Sequence, residues 1–436
     1  MKVAFFTLGC KVNQYETDLM KKQFSDARYE LVDEKQIADI YVVNSCSVTN
    51  LSTRKTRQTL SKAKKLGKIV ILAGCYAQEI KEDEDLKNVD IIIGNEEKKE
   101  IVEIVEKYIS KKNILKDSIT DKVHKISDIS KVEKYIQKDR LENGNRIRES
   151  VKIEDGCNNF CTYCIIPYVR GRVRSRSITD IVEEVTKLVE NGLGEVVLVG
   201  IEIASYGKDL EAGVSLIDVI EHVAKIKDLK RIRLGSIEPR ILTDENILRL
   251  KKTEKLCPHF HISVQSLDNN VLNRMNRHYT KEFLLDRIKK LRESLKDVAI
   301  TCDIIVAFPG ETKQEFLNTL NTVKEIGFYE VHIFKYSKRK WTKAANMGNQ
   351  IDGNIANKRS EELIKIGCDL KHKYMKHYIG LKKSVLFESY LDGYLYGYTN
   401  NYIKVKVKGD KSLWGCQQEI ELTSIEDDLM LGNIYH

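Results

Sequence analysis

Cys157, Cys161 and Cys164 stand in the run GCNNFCTYC, at Cys-x3-Cys-x2-Cys spacing. Three thiols this close wrap one short loop around one metal centre. A structural zinc site would ask for a fourth protein ligand and paired Cys-x2-Cys spacing. Three thiolates instead suit a 4Fe–4S cube, taking three irons and leaving the fourth open to an external ligand. Residues from about Val151 to Glu154 read as a strand entering the loop, and Tyr163 adds an aromatic ring between the last two cysteines. The loop therefore sits at a strand end, where β/α folds place their active residues.

Downstream the chain alternates short apolar runs with helical patterns. Strands are expected at Val196 to Val199, Arg231 to Leu234, His259 to Val264, Ala299 to Val306 and Glu330 to Phe334. Helices are expected around Asp180 to Glu190, Leu216 to Ile226, Asp244 to Lys251, Lys281 to Leu295 and Lys313 to Ile326. With the first strand these make six β/α units, an incomplete barrel. Polar residues at its carboxyl-end turns are Glu202, Glu238, Gln265, Ser266 and the Gly310–Glu311 pair, with Arg274 on a following helix. The same residue types also serve as helix caps and turn formers.

The first third carries its own pattern. Val3 to Leu8, Ile40 to Val43, Ile69 to Ala73 and Ile91 to Ile93 read as strands separated by helical stretches, a doubly wound parallel sheet. Cys10, Cys46 and Cys75 follow the first three of these strands, in TLGC, VNSC and LAGC. Open α/β sheets bind ligands beyond the carboxyl ends of their strands, so three distant thiols are expected to meet on one edge. Gly9 and Gly74 permit the close backbone approach this needs. A second iron–sulfur cluster with one open iron fits three such thiolates, while small buried hydrophobes at strand ends are the plain alternative.

Ten cysteines in 436 residues, with no stretch apolar enough for a membrane span and no signal-peptide pattern at Met1 to Cys10, point to reduced thiols in the cytoplasm. A formal charge of +9 fits a polyanionic partner and equally a lysine-rich solvated surface. Arg170, Arg172, Arg174 and Arg176 alternate along RGRVRSR, which reads as an extended segment presenting guanidinium forks to phosphates. After about His372, alternating stretches with Gly393, Gly397, Gly409 and Gly415 at turns read as a small β-barrel. Its Tyr402, Lys404 and Lys406 are of the types that stack on bases and track a nucleic-acid backbone. Ordinary strand tyrosines would look the same.

TLGCKVNQYE, VVNSC, LAGC, GCNNFCTYCIIPYVRGRVRSR, GSIEP, HFHISVQS, RMNRHYT, FPGET and GYTNNYIKVKV together resemble the radical S-adenosylmethionine methylthiotransferases over the whole chain. The resemblance implies a methylthiotransferase domain at 1–111, a linker at 112–142, a radical S-adenosylmethionine core at 143–371 and a TRAM-like RNA-binding domain at 372–436. It implies two 4Fe–4S clusters, the radical one on Cys157, Cys161 and Cys164 and the auxiliary one on Cys10, Cys46 and Cys75. S-adenosylmethionine would be held near Glu202, Glu238, Gln265 and Arg274. CKVNQYE and RGRVRSR resemble the branch that converts threonylcarbamoyladenosine beside the tRNA anticodon to its 2-methylthio form. The partners implied are a tRNA anticodon stem-loop, an electron donor of flavodoxin or ferredoxin type and a sulfur donor. Two alternatives keep the enzyme class, with a ribosomal protein or an isopentenyladenosine tRNA as substrate; a third is a non-catalytic metal-containing RNA-binding protein. Leu267, Ala307, Trp341 and Lys343 depart from the family pattern of glycine, glycine, glycine and proline. Cys257, Cys302, Cys368 and Cys416 lie outside both triads and read as packing residues.

Overall fold

The computed structural model describes residues 1–80, 86–114, 122–136, 146–211 and 213–435. They form two units. One comprises residues 1–142, 154–176 and 337–345, and the other residues 143–153, 177–336 and 346–436.

The first unit is built on a six-stranded parallel sheet. Its order is Glu30–Val32, Lys2–Thr7, Ile40–Ser45, Ile69–Gly74, Ile91–Ile93, Val123–Lys125. Strand side chains alternate between faces, so this sheet needs two covers. Val3, Phe5, Val42 and Ile71 pack under helices Lys11–Asp26 and Ile101–Ile114, through Met20, Phe24, Ile101 and Val105. Phe6, Val43, Leu72 and Ile92 pack under Asn50–Leu66 and the short helix Cys75–Glu79, through Leu60, Ala63 and Tyr76. The chain order reverses between Lys2–Thr7 and Ile40–Ser45, which makes their carboxyl ends the topological switch point.

Two strands of this sheet fall outside the sequence expectation. Glu30–Val32 and Val123–Lys125 are three-residue edge strands, the latter inside the stretch expected to link domains. Edge strands are short and partly polar, so they carry little apolar signal. The chain then turns through a 3-10 segment at Ile129–Lys131.

In the second unit, Arg148–Lys152, Glu195–Val199 and Arg231–Leu234 form one parallel sheet. Ser236–Ile237, His259–Gln265, Ala299–Val306 and Glu330–Lys335 form another. Gly235 alone separates Arg231–Leu234 from Ser236–Ile237, and its N–H donates to the Leu198 carbonyl at 2.8 Å. The two sheets thus share one interrupted strand, giving the six parallel strands of the incomplete barrel. Helices Ile178–Glu190, Leu216–Ala224, Asp244–Lys252, Lys281–Ser294 and Lys313–Ile326 cover it around one continuous apolar core. Gly353–Lys376 is a 24-residue helix that runs across position 371. A closed five-stranded barrel follows, from Lys382–Leu391, Tyr394–Thr399, Lys404–Lys408, Gln417–Glu426 and Leu429–Ile434. Its core residues Val385, Phe387, Val405 and Met430 pack with Ala299, Tyr329, Met375 and Tyr378 of the preceding part.

Cys257 and Cys302 are fully buried in this unit, and burial pushes both thiols up, Cys257 to about 11. Cys368 is exposed on the long helix and Cys416 is half-buried. Alanine at any of these four positions is expected to leave the iron content per chain unchanged. The buried pair should cost on the order of 1 kcal/mol each for lost packing. Loss of iron from a folded single variant, by colorimetric iron assay, would contradict the packing role.

Candidate metal and cofactor site

Each cysteine of the N-terminal triad sits where its strand hands over to the next element. Cys10 is the N-cap of Lys11–Asp26, Cys46 follows Ile40–Ser45, and Cys75 opens Cys75–Glu79. Gly9 has φ +106°, and a Cβ there would meet Cys46 Cβ at 2.7 Å; Gly74 has φ +96° and is hemmed by Asn44 Oδ1 at 2.7 Å. Asn13 Nδ2 donates to the Leu8 carbonyl at 2.7 Å and the Ser45 carbonyl at 2.9 Å, tying the Cys10 and Cys46 loops together. Burial, then Cys75 and Cys10, pushes the Cys46 thiol up to about 11, so the three sulfurs share one field.

The second triad lies on the loop between Glu154–Asp155 and the helix Ile166–Arg170. Gly156 has φ +84°, and a Cβ there would fall 1.9 Å from the Arg172 carbonyl oxygen. The loop is closed by Cys157 N–H donating to the Gly171 carbonyl at 3.1 Å and Cys164 N–H to the Cys161 carbonyl at 3.0 Å. Cys157 is buried; Cys161 and Cys164 are half-buried.

Among the described residues, no group of His, Cys, Asp or Glu gathers tightly enough for a single metal ion. A cube does not require that, because each thiolate takes a different iron. The donor chemistry fits a thiolate-held cluster in another respect. Arg170 Nε donates to Cys75 Sγ at 3.2 Å, a fixed positive group beside a sulfur that would carry negative charge as a cluster ligand.

Arg170 is the hub of this site. It is fully buried, and its Nη2 donates to Asn13 Oδ1 at 2.6 Å and Glu16 Oε2 at 3.1 Å. Asp155 lies 3.4 Å from Nη1, and Lys98 pairs with Glu16 at 2.5 Å. Burial opposes the Arg170 charge, but Cys75, Glu16 and Asp155 outweigh it and hold its pKa well above the ordinary value. Asn13 and Glu16 were not singled out from the sequence. Their signal was the i, i+3 spacing in KVNQYE, which puts both on the helix face behind Cys10.

The arginine run departs from the expected extended, outward segment. Arg170 ends a helix, Arg174 is buried and donates to the Arg170 and Arg172 carbonyls at 3.0 and 2.9 Å, and buried Arg176 lies 3.3 Å from Tyr15 Oη. Only Arg172 of the four is exposed. Arg170 meets the carboxylates of Glu16 and Asp155, Arg174 meets Asp155 and neighbouring carbonyls, and Arg176 meets a tyrosine hydroxyl. Tyr402 departs likewise: it is half-buried, stacked on Tyr398 at 4.6 Å, with the Arg233 guanidinium 4.4 Å from its ring centre. Lys404 is exposed, and Lys406 pairs with Glu426 at 3.2 Å.

Of the residues expected near the cofactor, Glu202 and Glu238 interact. Burial, then Glu238, pushes Glu202 up to about 7. Glu238 also accepts from Arg240 N–H at 3.0 Å and Arg240 Nε at 2.9 Å, as a helix cap would. Gln265 ends His259–Gln265 at φ +66°, past a register shift. Arg274 is engaged by both oxygens of Glu315, at 2.9 and 2.8 Å.

Two family descriptions match the chain: the Radical SAM superfamily over residues 151–323, and an uncharacterized protein family, UPF0004, over residues 2–94. The chain is 39% identical over 421 residues to the threonylcarbamoyladenosine tRNA methylthiotransferase MtaB of Bacillus subtilis, covering 95% of this chain and 92% of the relative. The corresponding protein of Aquifex aeolicus is 35% identical, covering 95% and 98%. A tRNA-2-methylthio-N(6)-dimethylallyladenosine synthase of Clostridium perfringens is 33% identical, covering 98% and 96%. Among solved structures, the radical S-adenosylmethionine methyltransferase TsrM of Kitasatospora setae aligns with a TM-score of 0.57 at 11% identity, covering 76% of this chain and 72% of that one. At that identity the likeness concerns the fold alone.

Proposed function

Since the chain belongs to the radical S-adenosylmethionine methylthiotransferase family, we propose that it converts N6-threonylcarbamoyladenosine beside the tRNA anticodon to its 2-methylthio derivative. The observation that carries this reading is Arg170. It ends the helix that follows the Cys157–Cys164 loop and bonds Cys75 Sγ at 3.2 Å, so one side chain joins the two triads. The choice of adenosine rests on the relatives of the threonylcarbamoyl branch, which match at higher identity than the dimethylallyl relative.

Bound, the two 4Fe–4S clusters and S-adenosylmethionine supply one-electron cleavage of the cofactor, removal of the unactivated adenine C2 hydrogen and a sulfur to be methylated. Cys157, Cys161 and Cys164 would hold the radical cluster, and Cys10, Cys46 and Cys75 the auxiliary one. Arg170 would fix the Cys75 side of that site and balance its thiolate charge. Glu202 and Glu238 would hold the cofactor's amino group; burial, then Glu238, pushes Glu202 up to about 7. Arg172 and Lys404 are the exposed cations of the two sequence regions read as RNA contacts. The C-terminal barrel would take the anticodon stem-loop, as a TRAM-like module at residues 372–436. An electron donor of flavodoxin or ferredoxin type and a sulfur donor complete the scheme. Reduced thiols fit a cytoplasmic setting, and among the described residues no helix is long and apolar enough to cross a membrane.

The test offers the reconstituted protein two tRNAs, one carrying threonylcarbamoyladenosine and one carrying dimethylallyladenosine. A 2-methylthio product on the first alone is expected. Product on the second alone, or on a ribosomal protein without RNA, would overturn the substrate assignment.

A further inference from the structure

The first unit contains a cleft of about 950 Å³, inside the roughly 300–1,000 Å³ range of small-ligand sites. Phe160, Tyr168 and Trp341 line it together with Arg172, His124 and Asp128. Tyr168 and Trp341 are 36% and 38% exposed. Their rings are 6.3 Å apart and tilted at 49°, and Phe160 meets Tyr168 edge-on at 5.9 Å. The exposed Arg172 guanidinium lies 4.7 Å from the Phe160 ring centre.

These rings are held in place at a cost. Phe160 has φ +46° and Trp341 φ +63°, a region that bulky side chains rarely adopt. Such strain persists where the surroundings over-determine it. On the Trp341 segment they do. Arg339 is buried and bonds Glu79 at 2.5 Å, Asn50 at 2.8 Å and Thr53 at 3.2 Å. Beyond the tryptophan, Ala344 N–H donates to the Thr162 carbonyl of the cysteine loop at 2.8 Å. The indole is therefore pre-organised and offers its face at little further entropy cost on binding.

We propose that this cleft holds an unpaired nucleobase of the substrate RNA, a neighbour of the modified adenosine in the anticodon loop; the assignment rests on the tRNA reading above. Aromatic platforms beside an arginine are the chemistry that grips single-stranded nucleic acid, since every base has a π-face and every linkage a phosphate. Loop bases are unstacked and available for this. The position is apt. Tyr168 lies on the helix Ile166–Arg170, whose Val169 packs with Ile165 against Cys75. A base stacked beside Tyr168 thus lies one short helix away from a sulfur of the N-terminal triad. A redox protein would instead be expected to dock on a broad charged patch, whereas here one acidic residue, Asp128, shares the lining with Arg172.

Trp341 and Trp414 are the two tryptophans of the chain, so the full-length, cluster-loaded protein reports on its own cleft. In Trp414→Phe, where Trp341 is the one tryptophan left, anticodon stem-loop RNA is expected to quench the fluorescence. Trp341→Ala should bind the RNA at least about tenfold more weakly, the scale of one lost base–aromatic stack. Unchanged iron content shows that a variant has folded. Wild-type affinity in Trp341→Ala, or RNA binding with no quench in Trp414→Phe, would overturn the cleft assignment alone. A quench by reduced flavodoxin and none by RNA would overturn it in favour of an electron-donor site. Wild-type protein that binds no RNA would overturn the tRNA reading, and the cleft assignment with it.

Discussion

Replacing Cys10, Cys46 and Cys75 together by alanine is expected to give a protein that still releases 5′-deoxyadenosine with a reductant but forms no methylthio product. The two triads lie on separate loops, and the Cys157–Cys164 loop is closed by its own backbone bonds to Gly171 and Cys161. The substitutions remove one partner of Arg170, the Cys75 sulfur. Its bonds to Asn13 and Glu16 and its pairing with Asp155 remain, so no buried charge is stranded. The radical loop should therefore stay folded and keep an open iron. Iron should fall from about eight to about four per chain, one cube lost of two. The reverse variant, lacking Cys157, Cys161 and Cys164, should make neither product. Methylthio product from the N-terminal triple variant would show that its cysteines are buried thiols and not a sulfur-bearing site. Loss of 5′-deoxyadenosine with half the iron retained would show that the two sites do not act independently.

Glu195→Ala is expected to destabilise the second unit by about 3–5 kcal/mol, the scale for stranding a buried charge partner. The Glu195 carboxylate is fully buried and accepts from Arg233 Nε at 2.7 Å and Nη2 at 3.1 Å, with Arg231 at 3.8 Å and Arg148 at 3.9 Å. Burial opposes its charge, but Arg233, Arg148 and Arg231 outweigh it and hold its pKa below the ordinary value. A carboxylate depressed in this way stabilises the fold at pH above its unfolded pKa of about 4.3. That share is lost as pH falls through the lower folded value. The gap between wild type and Glu195→Ala in urea unfolding should thus be full at neutral pH and close below about pH 4. The same arginines tie the terminal barrel down, through the carbonyls of Tyr398, Ser384 and Asn400 at 2.8, 3.1 and 3.1 Å. The barrel should accordingly become the first site of proteolysis in the variant. An unfolding midpoint equal to wild type at pH 7 would show that the cluster contributes nothing net.

Much of the fold was legible because apolar periodicity and burial coincide. Ala299–Val306 and Lys313–Ile326 stand where their patterns place them, the latter started by a Thr312–Glu315 capping box. Convergence of Cys10, Cys46 and Cys75 followed from sheet topology alone. Gly353–Lys376 was missed because a 24-residue helix that buries only Arg359, Ser360, Leu363, Gly367 and Met375 shows a narrow apolar stripe. The arginine run was misread for another reason. Whether a guanidinium faces water or a buried carboxylate is decided by its tertiary partner, and Glu16 lies 154 positions before Arg170. Tyr402 gave no sign that it would stack on Tyr398 beneath Arg233, since strand tyrosines on a barrel look alike in sequence.

One chain is thus assigned both the radical and the sulfur-inserting chemistry for a tRNA adenosine. Nucleoside mass spectrometry of tRNA from otherwise identical cells, with and without this protein, tests it most directly. The 2-methylthio form of threonylcarbamoyladenosine should appear only where the protein is present, with the unmodified precursor falling to match. An identical nucleoside profile in the two populations would contradict it.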